Sequence, residues 1–317
     1  MIKVRLSAMG LAAARFAVSP LYEAMGLLLA VRAGRAGVDL ERRRAGIGRA
    51  LDRGGLDLLA SMVLVRQGSH HYVPDFLTPD PVGAVTDELH AVATTDTVRV
   101  QAELDILTTG RELGGESGIV GRELPRPVAD AVQTGERQFA ERVADELDVV
   151  WRTVLAPEWP RMRGRLEEDI AVRGHSLARE GLAGTVRSLA PSFDLHDGVL
   201  TAASPFEVDV TADGVVFVPT AFHRPTVVVD PCLGLDRRSP VVLYPAVPAT
   251  SRGEDLAGAV GRTRARLLDE LAAPRSTSEL AGRLGLSAST VSYHLQGLLR
   301  AGLITRVRRS RTVYYHR

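Results

Sequence analysis

The stretch STSELAGRLGLSASTVSYHLQGLLRAGLI, residues 276–304, contains two helical patterns separated by a very short turn. Ser276 and Glu279 have the spacing of a capping box, in which a hydroxyl and a carboxylate satisfy free amides at the start of a helix. Gly285 is placed to end that helix in a left-handed conformation, and Ser287 is placed to cap the next one. The stretch therefore predicts two helices joined by a tight turn.

The second of these helices is predicted to have one apolar face, with Gly302 at its end. The predicted buried residues are Val291, Leu295, Leu298 and Leu299. Another helix is predicted from near Val260 to before Pro274. The segments LITRVR and RTVYYH follow the stretch and predict a β-hairpin with Arg309-Ser310 at the turn. This order of elements predicts a winged helix-turn-helix at residues 256–317.

The polar face of the second helix consists of hydroxyl and amide side chains near its start. Such groups suit the major groove of DNA, where they reach phosphates and base edges. The predicted DNA-binding residues of this helix, at 288–301, are Ser287, Ser289, Thr290, Ser292, Tyr293, His294 and Gln296. Those of the wing, at 303–316, are Arg306, Arg308, Arg309 and Arg311, which suit phosphate contact or the minor groove.

Several of these residues also have structural interpretations. Ser287 is predicted mainly as the helix cap. Tyr293 could instead cover the edge of the core, and His294 could pack rather than contact DNA. The wing arginines could be solubilising charge, and a winged helix can serve protein–protein contact without DNA.

Net charge differs between the two parts of the chain. Residues 261–317 contain eleven arginines and three acidic residues, a net charge of +8. Because the whole chain carries +1, residues 1–260 carry −7. A basic segment beside an acidic one is expected when a small domain contacts a polyanion.

Composition restricts the class of protein. The chain has 317 residues, 45 % hydrophobic and 24 % charged, which is typical of a soluble globular protein with two domains. The apolar run at residues 25–31 is too short to cross a bilayer, and the N-terminus shows no signal-peptide pattern. Cys232 is the only cysteine, so neither an internal disulfide nor a thiolate metal site is predicted. We expect a cytoplasmic, nucleoid-associated protein without cofactor, metal or membrane contact.

The first 190 residues are predicted to be mostly helical. Helix starts are predicted at Ser19-Pro20, at Pro81-Val82 and at Asp96 or Thr95. The helix after Asp96 is predicted to bury Val98, Leu104 and Leu107. The strongest predicted helix lies between Pro127 and Ala156, and a further one carries Met162, Leu166, Ile170 and Leu177.

Short β-branched segments at residues 198–248 predict a small antiparallel sheet, with a hairpin turn at Asp213-Gly214. The predicted fold is therefore mainly α. A large helical N-terminal domain with a small antiparallel β-sheet, residues 1–250, precedes the C-terminal winged helix-turn-helix.

The run SELAGRLGLSASTVSYHLQGLLRAGLITRVRRSRTVYY, residues 278–315, resembles the ArsR-type winged-helix repressors. The similarity includes the serine-rich helix start, the SYHL core, the LLRAGL exit and the return as VYY. The segments RFAVSPLYEAM, YVPDFLTPDP, LAPEWPRMRGRLEEDI and GLAGTVRSLAP resemble the N-terminal domain of a group of actinobacterial ArsR-like regulators. The resemblance implies a homodimer, major-groove contact by the third helix and repression that is released by a signal.

Two features depart from the family pattern. The helices around the predicted DNA contacts contain no cysteine, so the thiolate site of the metal-sensing members cannot be present. The chain also stops at Arg317, directly after the wing, where many ArsR-type proteins have a further dimerisation helix. Dimer contacts are then expected from the helix beginning near Val260, from the front domain, or from both.

The front domain shows no nucleophile elbow, zinc-protease motif or phosphate loop. The glycine-rich residues 110–124 are interpreted as an interhelical loop. His70, His71 and Asp75 are poorly placed to bind a metal ion together. Cys232 is interpreted as a structural residue. His175 and the acidic residues 167–169 share a predicted helix, and they are interpreted as part of a solvent-exposed acidic face.

We expect a regulator that is not an enzyme and that binds double-stranded DNA as a homodimer. Its front domain is expected to sense a small organic effector or a protein partner. The alternative is an enzymatic or protein-interaction front domain whose winged helix does not itself regulate transcription.

Overall fold

The protein forms two compact units in a computed structural model, Met1–Ala246 and Val247–Arg317. The structure describes residues 1–34, 38–53, 55–64, 72–112, 115–116, 121, 123–204, 207–230, 235, 238–246, 262–271, 274–300, 304–309 and 312–316. Within these residues, no helix is both long enough and apolar enough to cross a bilayer.

The first unit is mainly helical, as predicted. Its helices are α1 (Ala8–Ala12), α2 (Pro20–Arg32), α3 (Val38–Asp52), α4 (Asp57–Leu59), α5 (Val85–Ala93), α6 (Thr97–Thr109), α7 (Arg126–Val132), α8 (Glu136–Val150) and α9 (Trp159–Leu189). Its strands are β1 (Ile2–Leu6), β2 (Arg15–Phe16), β3 (Arg111–Glu112), β4 (Gly115–Glu116), β5 (Phe193–His196), β6 (Val199–Ala202), β7 (Val208–Ala212), β8 (Val216–Thr220), β9 (Thr226–Val228) and β10 (Val241–Pro245). Wider or tighter helical turns occur at Ala60–Leu64, Asp75–Leu77, Trp151–Leu155 and Ala156–Glu158.

Helix α2 runs through the core of the first unit. The Ser19 side chain accepts a hydrogen bond from the Tyr22 amide and Pro20 occupies the first turn, which confirms the predicted start. Leu21, Leu27 and Leu28 have no exposed surface, as the apolar sequence predicts. Helices α5, α6, α7 and α8 contribute further side chains to the same core.

Three helix predictions need correction. The predicted helix between Pro127 and Ala156 is interrupted, because Gly135 adopts a φ of 111° between α7 and α8. Helix α5 begins at Val85 rather than at Pro81-Val82, although α6 is capped by Asp96 as predicted. Val98, predicted to be buried on α6, is 59 % exposed.

The last helix of the first unit is broken near its end. Gly181 has φ 72° and ψ 177°, so α9 consists of two helical segments. Arg173 Nη1 donates to Ser188 Oγ at 3.1 Å and connects the two segments. Leu177, predicted to lie on an apolar stripe, is 39 % exposed close to this break.

The single antiparallel sheet predicted at residues 198–248 is wrong. The structure instead has two four-stranded mixed sheets, with strand orders β5-β6-β1-β7 and β2-β8-β10-β9. Strand β1 pairs antiparallel with β6 and parallel with β7. In the second sheet β8 runs parallel to β2 and β10, whereas β9 is antiparallel to β10. Both sheets therefore contain a strand from the first 16 residues, which the sequence pattern did not reveal.

The hairpin predicted at Asp213-Gly214 is also wrong, because β7 and β8 belong to different sheets. Every residue of β8 is buried, since it lies inside its sheet between β2 and β10. The tight turn occurs instead at Asp197-Gly198, between β5 and β6, where the φ values are 47° and 75°.

The second unit contains three helices and a three-stranded antiparallel sheet in the residues that the structure describes. Its elements are α10 (Arg262–Glu270), β11 (Arg275–Ser276), α11 (Thr277–Leu284), α12 (Ala288–Arg300), β12 (Thr305–Arg309) and β13 (Thr312–His316). Strand β13 lies between β11 and β12, and the sequence did not predict β11. The small core is formed by Leu267, Leu268, Leu271, Leu280, Val291, Leu295, Leu298, Ile304 and Tyr315.

Candidate nucleic-acid interface

The start of α11 is fixed by the predicted capping box. The Ser276 amide donates to Glu279 Oε2 at 2.7 Å, and the Glu279 amide donates to Ser276 Oγ at 3.3 Å. The hydrogen bond from the Ser276 backbone lowers the pKa of Glu279. Ser276 also lies opposite Tyr314 of β13, so this helix start is joined to the hairpin.

The turn between α11 and α12 has the predicted geometry. Gly285 has a φ of 65° and ends α11 in the left-handed conformation. The Leu286 amide donates to the Ala281 carbonyl at 3.1 Å, which closes the turn. The Thr290 amide donates to Ser287 Oγ at 3.1 Å, so Ser287 caps α12 as predicted.

Three predicted DNA-binding hydroxyls are clustered at the start of α12. Ser287 Oγ is hydrogen-bonded to Ser289 Oγ and to Thr290 Oγ1, each at 2.8 Å. All three side chains are exposed. The free amides of the helix start give this end of α12 a partial positive charge, so the cluster lies where an anion is favoured.

The buried face of α12 determines which side chains point outward. Val291 and Leu295 have no exposed surface and Leu298 is 1 % exposed, whereas Leu299 is only partly buried. Ser289, Tyr293 and Gln296 are exposed, and their spacing places them in one stripe on the opposite face. Tyr293 is 63 % exposed and therefore does not close the core.

Two predicted residues lie on the sides of α12 rather than on this stripe. Ser292 and His294 are half-buried. The rings of His294 and Tyr293 are 5.3 Å apart, and His294 Nδ1 is buried without a hydrogen-bond partner among the described residues. The structure thus places His294 at the border between the outward face and the core.

The predicted wing is a regular antiparallel hairpin. Arg306 pairs with Tyr315, Arg308 with Val313 and Arg309 with Thr312 in the strand register. Arg306 is exposed. The predictions for Ser310 and Arg311 lie outside the described residues, as does the helix end predicted at Gly302.

Part of the positive charge of this unit is paired within it. Arg283 Nε donates to Glu270 Oε2 at 2.6 Å, and Arg275 Nε donates to the Glu270 carbonyl at 2.9 Å. Arg264 of α10 has no such partner among the described residues and lies against α12 at Gly297. No local sequence pattern singles out Arg264, because the contact depends on how α10 packs on α12.

The first unit contains buried charged side chains that the sequence did not predict. Arg99 and Glu103 of α6 are 2 % and 0 % exposed, and burial raises the pKa of Glu103. Burial and the neighbouring carboxylates of Glu103 and Asp230 also raise the pKa of Asp75. No group of described residues has the arrangement of a metal site. His70, His71 and Cys232 lie outside the described residues.

No curated protein and no solved structure shows significant similarity to the chain. Residues 262–307 match a protein family described as a helix-turn-helix domain. This match includes α10, α11 and α12, the helices that form the turn and the outward stripe described above. The C-terminal unit therefore contains a helix-turn-helix domain.

Proposed function

We propose that the protein is a transcriptional repressor that binds a palindromic DNA operator as a homodimer. The observation that supports this proposal best is the outward stripe of Ser289, Tyr293 and Gln296 on the last helix of a helix-turn-helix domain. In this proposal the C-terminal unit is a winged helix of the ArsR type, and the whole chain is a member of the actinobacterial group that its sequence resembles.

Helix α12 is proposed to enter the major groove. Its start, with the hydroxyls of Ser287, Ser289 and Thr290, would approach phosphates, and Tyr293 and Gln296 would face base edges. The hairpin of β12 and β13 is the proposed wing, and Arg306, Arg308, Arg309 and Arg311 are its proposed DNA contacts. The net charge of +8 over residues 261–317 supports attraction to the DNA backbone.

A dimer is proposed because one helix contacts only a short half-site. A two-fold axis places two copies of α12 about one turn of DNA apart, near 34 Å, which matches a palindromic operator. The proposed dimer contacts come from α10, from the first unit, or from both.

The first unit is proposed to sense an organic ligand or a protein partner and to change the spacing of the two α12 helices. Its size, its net charge of −7 over residues 1–260 and its buried polar groups support a role beyond dimerisation. We propose no enzymatic activity. An enzymatic or protein-interaction first unit that does not regulate transcription is the alternative.

A salt-titrated gel shift on the DNA upstream of the protein's own gene distinguishes these functions. Specific binding that weakens steeply with salt is expected for the regulator. Gln296→Ala should reduce the preference for the specific site by about 1–3 kcal/mol, as expected for one lost base contact. Arg306→Ala should weaken binding to all sequences. Unaltered binding by both variants would contradict the proposed placement of α12 and the wing.

Sensing is tested separately by replacing the first unit with a simple dimerisation module. The regulator proposal expects such a chimera to bind the operator and to remain bound when cells receive the natural signal. Normal derepression by the chimera would show that the first unit does not sense the signal.

A further inference from the structure

Arg264 extends from α10 onto the side of α12, where it meets the helix at a glycine. A Cβ atom built on Gly297 would lie 3.1 Å from Arg264 Nη2 and 3.4 Å from both Cζ and Nε. The guanidinium group therefore rests against the backbone of α12 in the space that a side chain at position 297 would occupy. A Cβ at that position would make the guanidinium, the end of a flexible side chain, shift by a few tenths of an ångström.

The charge of Arg264 is not compensated by the described part of the unit. Its Nε is buried and has no hydrogen-bond partner among the described residues. The carboxylate of Glu270, on the same helix, is paired with Arg283 and Arg275. Partial burial of a cation raises the free energy of the folded protein unless an anion lies close to it. Binding of an external anion is therefore favoured at this position.

The position of this cation matters because Gly297 follows both Tyr293 and His294 by one helical turn. Residues three and four positions apart are neighbours on a helix surface, so the guanidinium lies beside the outward stripe of α12. Tyr293 is exposed in that stripe, and His294 contributes a second buried nitrogen without a partner among the described residues. The cation thus lies at the edge of the proposed DNA-binding face, on a helix that the sequence did not associate with DNA.

We propose that Arg264 binds a phosphate of the DNA backbone, and that Gly297 favours this contact because it lets the guanidinium lie close against the edge of α12. This inference rests on the proposed DNA-binding function and adds a contact from α10 to it. A guanidinium presents several N–H donors in a plane and pairs well with phosphate oxygens. Because every base pair has the same phosphates, the contact would strengthen binding to all sequences.

The test is a salt titration of DNA binding by the full chain, with a duplex of mixed sequence as the probe. Each phosphate contact contributes about 0.9 to the slope of log affinity against log salt concentration. Arg264→Ala should reduce that slope by about 0.9, and Gly297→Ala should reduce it by less because it only shifts the guanidinium. Arg264→Lys keeps the charge and should retain most of the slope.

Arg264→Ala is the decisive variant, and Gly297→Ala complements it because it removes no charge and only shifts the guanidinium. Alanine is also the better helix former, so the unfolding temperature of the variant should be unchanged or raised while DNA binding weakens. Gly282→Ala is the matched control, because a Cβ on this glycine of α11 meets nothing within 4 Å. It should leave the salt slope unchanged.

The outcomes separate the two proposals. If the wild-type protein binds neither this duplex nor its own upstream DNA, the DNA-binding function fails and this contact fails with it. If the wild-type protein binds and both Arg264→Ala and Gly297→Ala keep its slope, Arg264 is not a phosphate contact and the regulator proposal stands. If Gly282→Ala also reduces the salt slope, the effect is not specific to Arg264 and the inference is overturned.

Discussion

Arg99 and Asp230 are joined by two parallel hydrogen bonds, from Nη1 to Oδ1 at 3.0 Å and from Nη2 to Oδ2 at 2.7 Å. They are 131 positions apart, so the pair connects α6 to the segment that follows β9. Arg99 Nη1 also donates to Glu103 Oε1 at 2.9 Å, and Glu103 accepts the Phe76 amide at 2.8 Å. Burial alone would lower the pKa of Arg99, but Asp230 and Glu103 outweigh it and raise that pKa.

The first prediction concerns this buried pair. Asp230→Ala should destabilise the first unit by about 3 kcal/mol, because it leaves a buried guanidinium with one carboxylate fewer. Chemical denaturation of the full chain measures the loss. Arg5→Ala is the control, since the Arg5–Asp209 pair has the same two-bond geometry with side chains that are 53 % and 43 % exposed. If Asp230→Ala lowers the free energy of unfolding as little as Arg5→Ala does, the buried pair does not stabilise the fold.

The second prediction concerns Glu23, which has no exposed surface and accepts the Ala221 amide at 3.1 Å and 3.2 Å. Burial raises the pKa of Glu23 from 4.5 to about 7, although hydrogen bonds from Thr220 and Ala221 oppose the change. The protonated carboxyl is therefore favoured in the folded state. Its contribution to stability is complete below pH 4.5 and is lost as the pH rises through about 7.

Unfolding of the first unit, measured at about pH 5.5 and about pH 8, should show this loss in the wild-type protein. Glu23→Gln should reduce the pH dependence by on the order of 2 kcal/mol, because the amide does not ionise. Asp130→Asn replaces an exposed side chain on α7 and should leave the pH dependence of unfolding unchanged. A pH dependence that is identical in the wild-type protein and Glu23→Gln would exclude Glu23 as its source.

The third prediction concerns the capping box of α11. Ser276→Ala should destabilise the C-terminal unit by about 1 kcal/mol, because the Glu279 amide loses its acceptor. The pKa of Glu279 is lowered, so its contribution is present at neutral pH and is lost as the pH falls through that lowered pKa. Thermal unfolding at neutral and acidic pH measures both effects. Ser278→Ala, in the same helical turn, should lower the stability of the C-terminal unit only slightly. If it lowers the stability as much as Ser276→Ala does, the capping box is not the source of the stabilisation.

The fourth prediction concerns the turn before α12. Gly285→Ala should destabilise the C-terminal unit by about 1 kcal/mol, because a side chain disfavours the left-handed conformation at a φ of 65°. Gly282→Ala, one turn earlier in the same helix, has an open position and should be neutral or stabilising. Thermal unfolding of the two variants side by side decides the point. Equal stability would mean that the turn relaxes to accept the side chain.

The parts of the fold that were predicted from the sequence depend on neighbouring residues. The caps at Ser19, Ser276 and Ser287 and the left-handed Gly285 were predicted because each involves a few consecutive residues. The outward stripe of α12 was predicted for the same reason, since its spacing follows from the helix itself. DNA contact by these residues stays a prediction.

The features that were missed depend on residues far apart in the chain. The two mixed sheets and the Asp213-Gly214 connection could not be predicted, because β1 and β2 find their partners around 200 residues later. Val98 is exposed and Arg99 buried on α6 because Asp230 lies opposite Arg99 in the folded chain. Arg264 was overlooked because no local pattern relates it to Gly297.

Strand β1 lies inside its sheet, between β6 and β7, although both partner strands come much later in the chain. Ile2 lies opposite both Ala202 and Val208, and the Met1 ammonium donates to the Ser204 carbonyl at 3.1 Å. During translation this strand leaves the ribosome long before β6 and β7, so each of its edges stays unpaired until the partner strand has emerged. Over that interval the unpaired edges expose the nascent chain to aggregation.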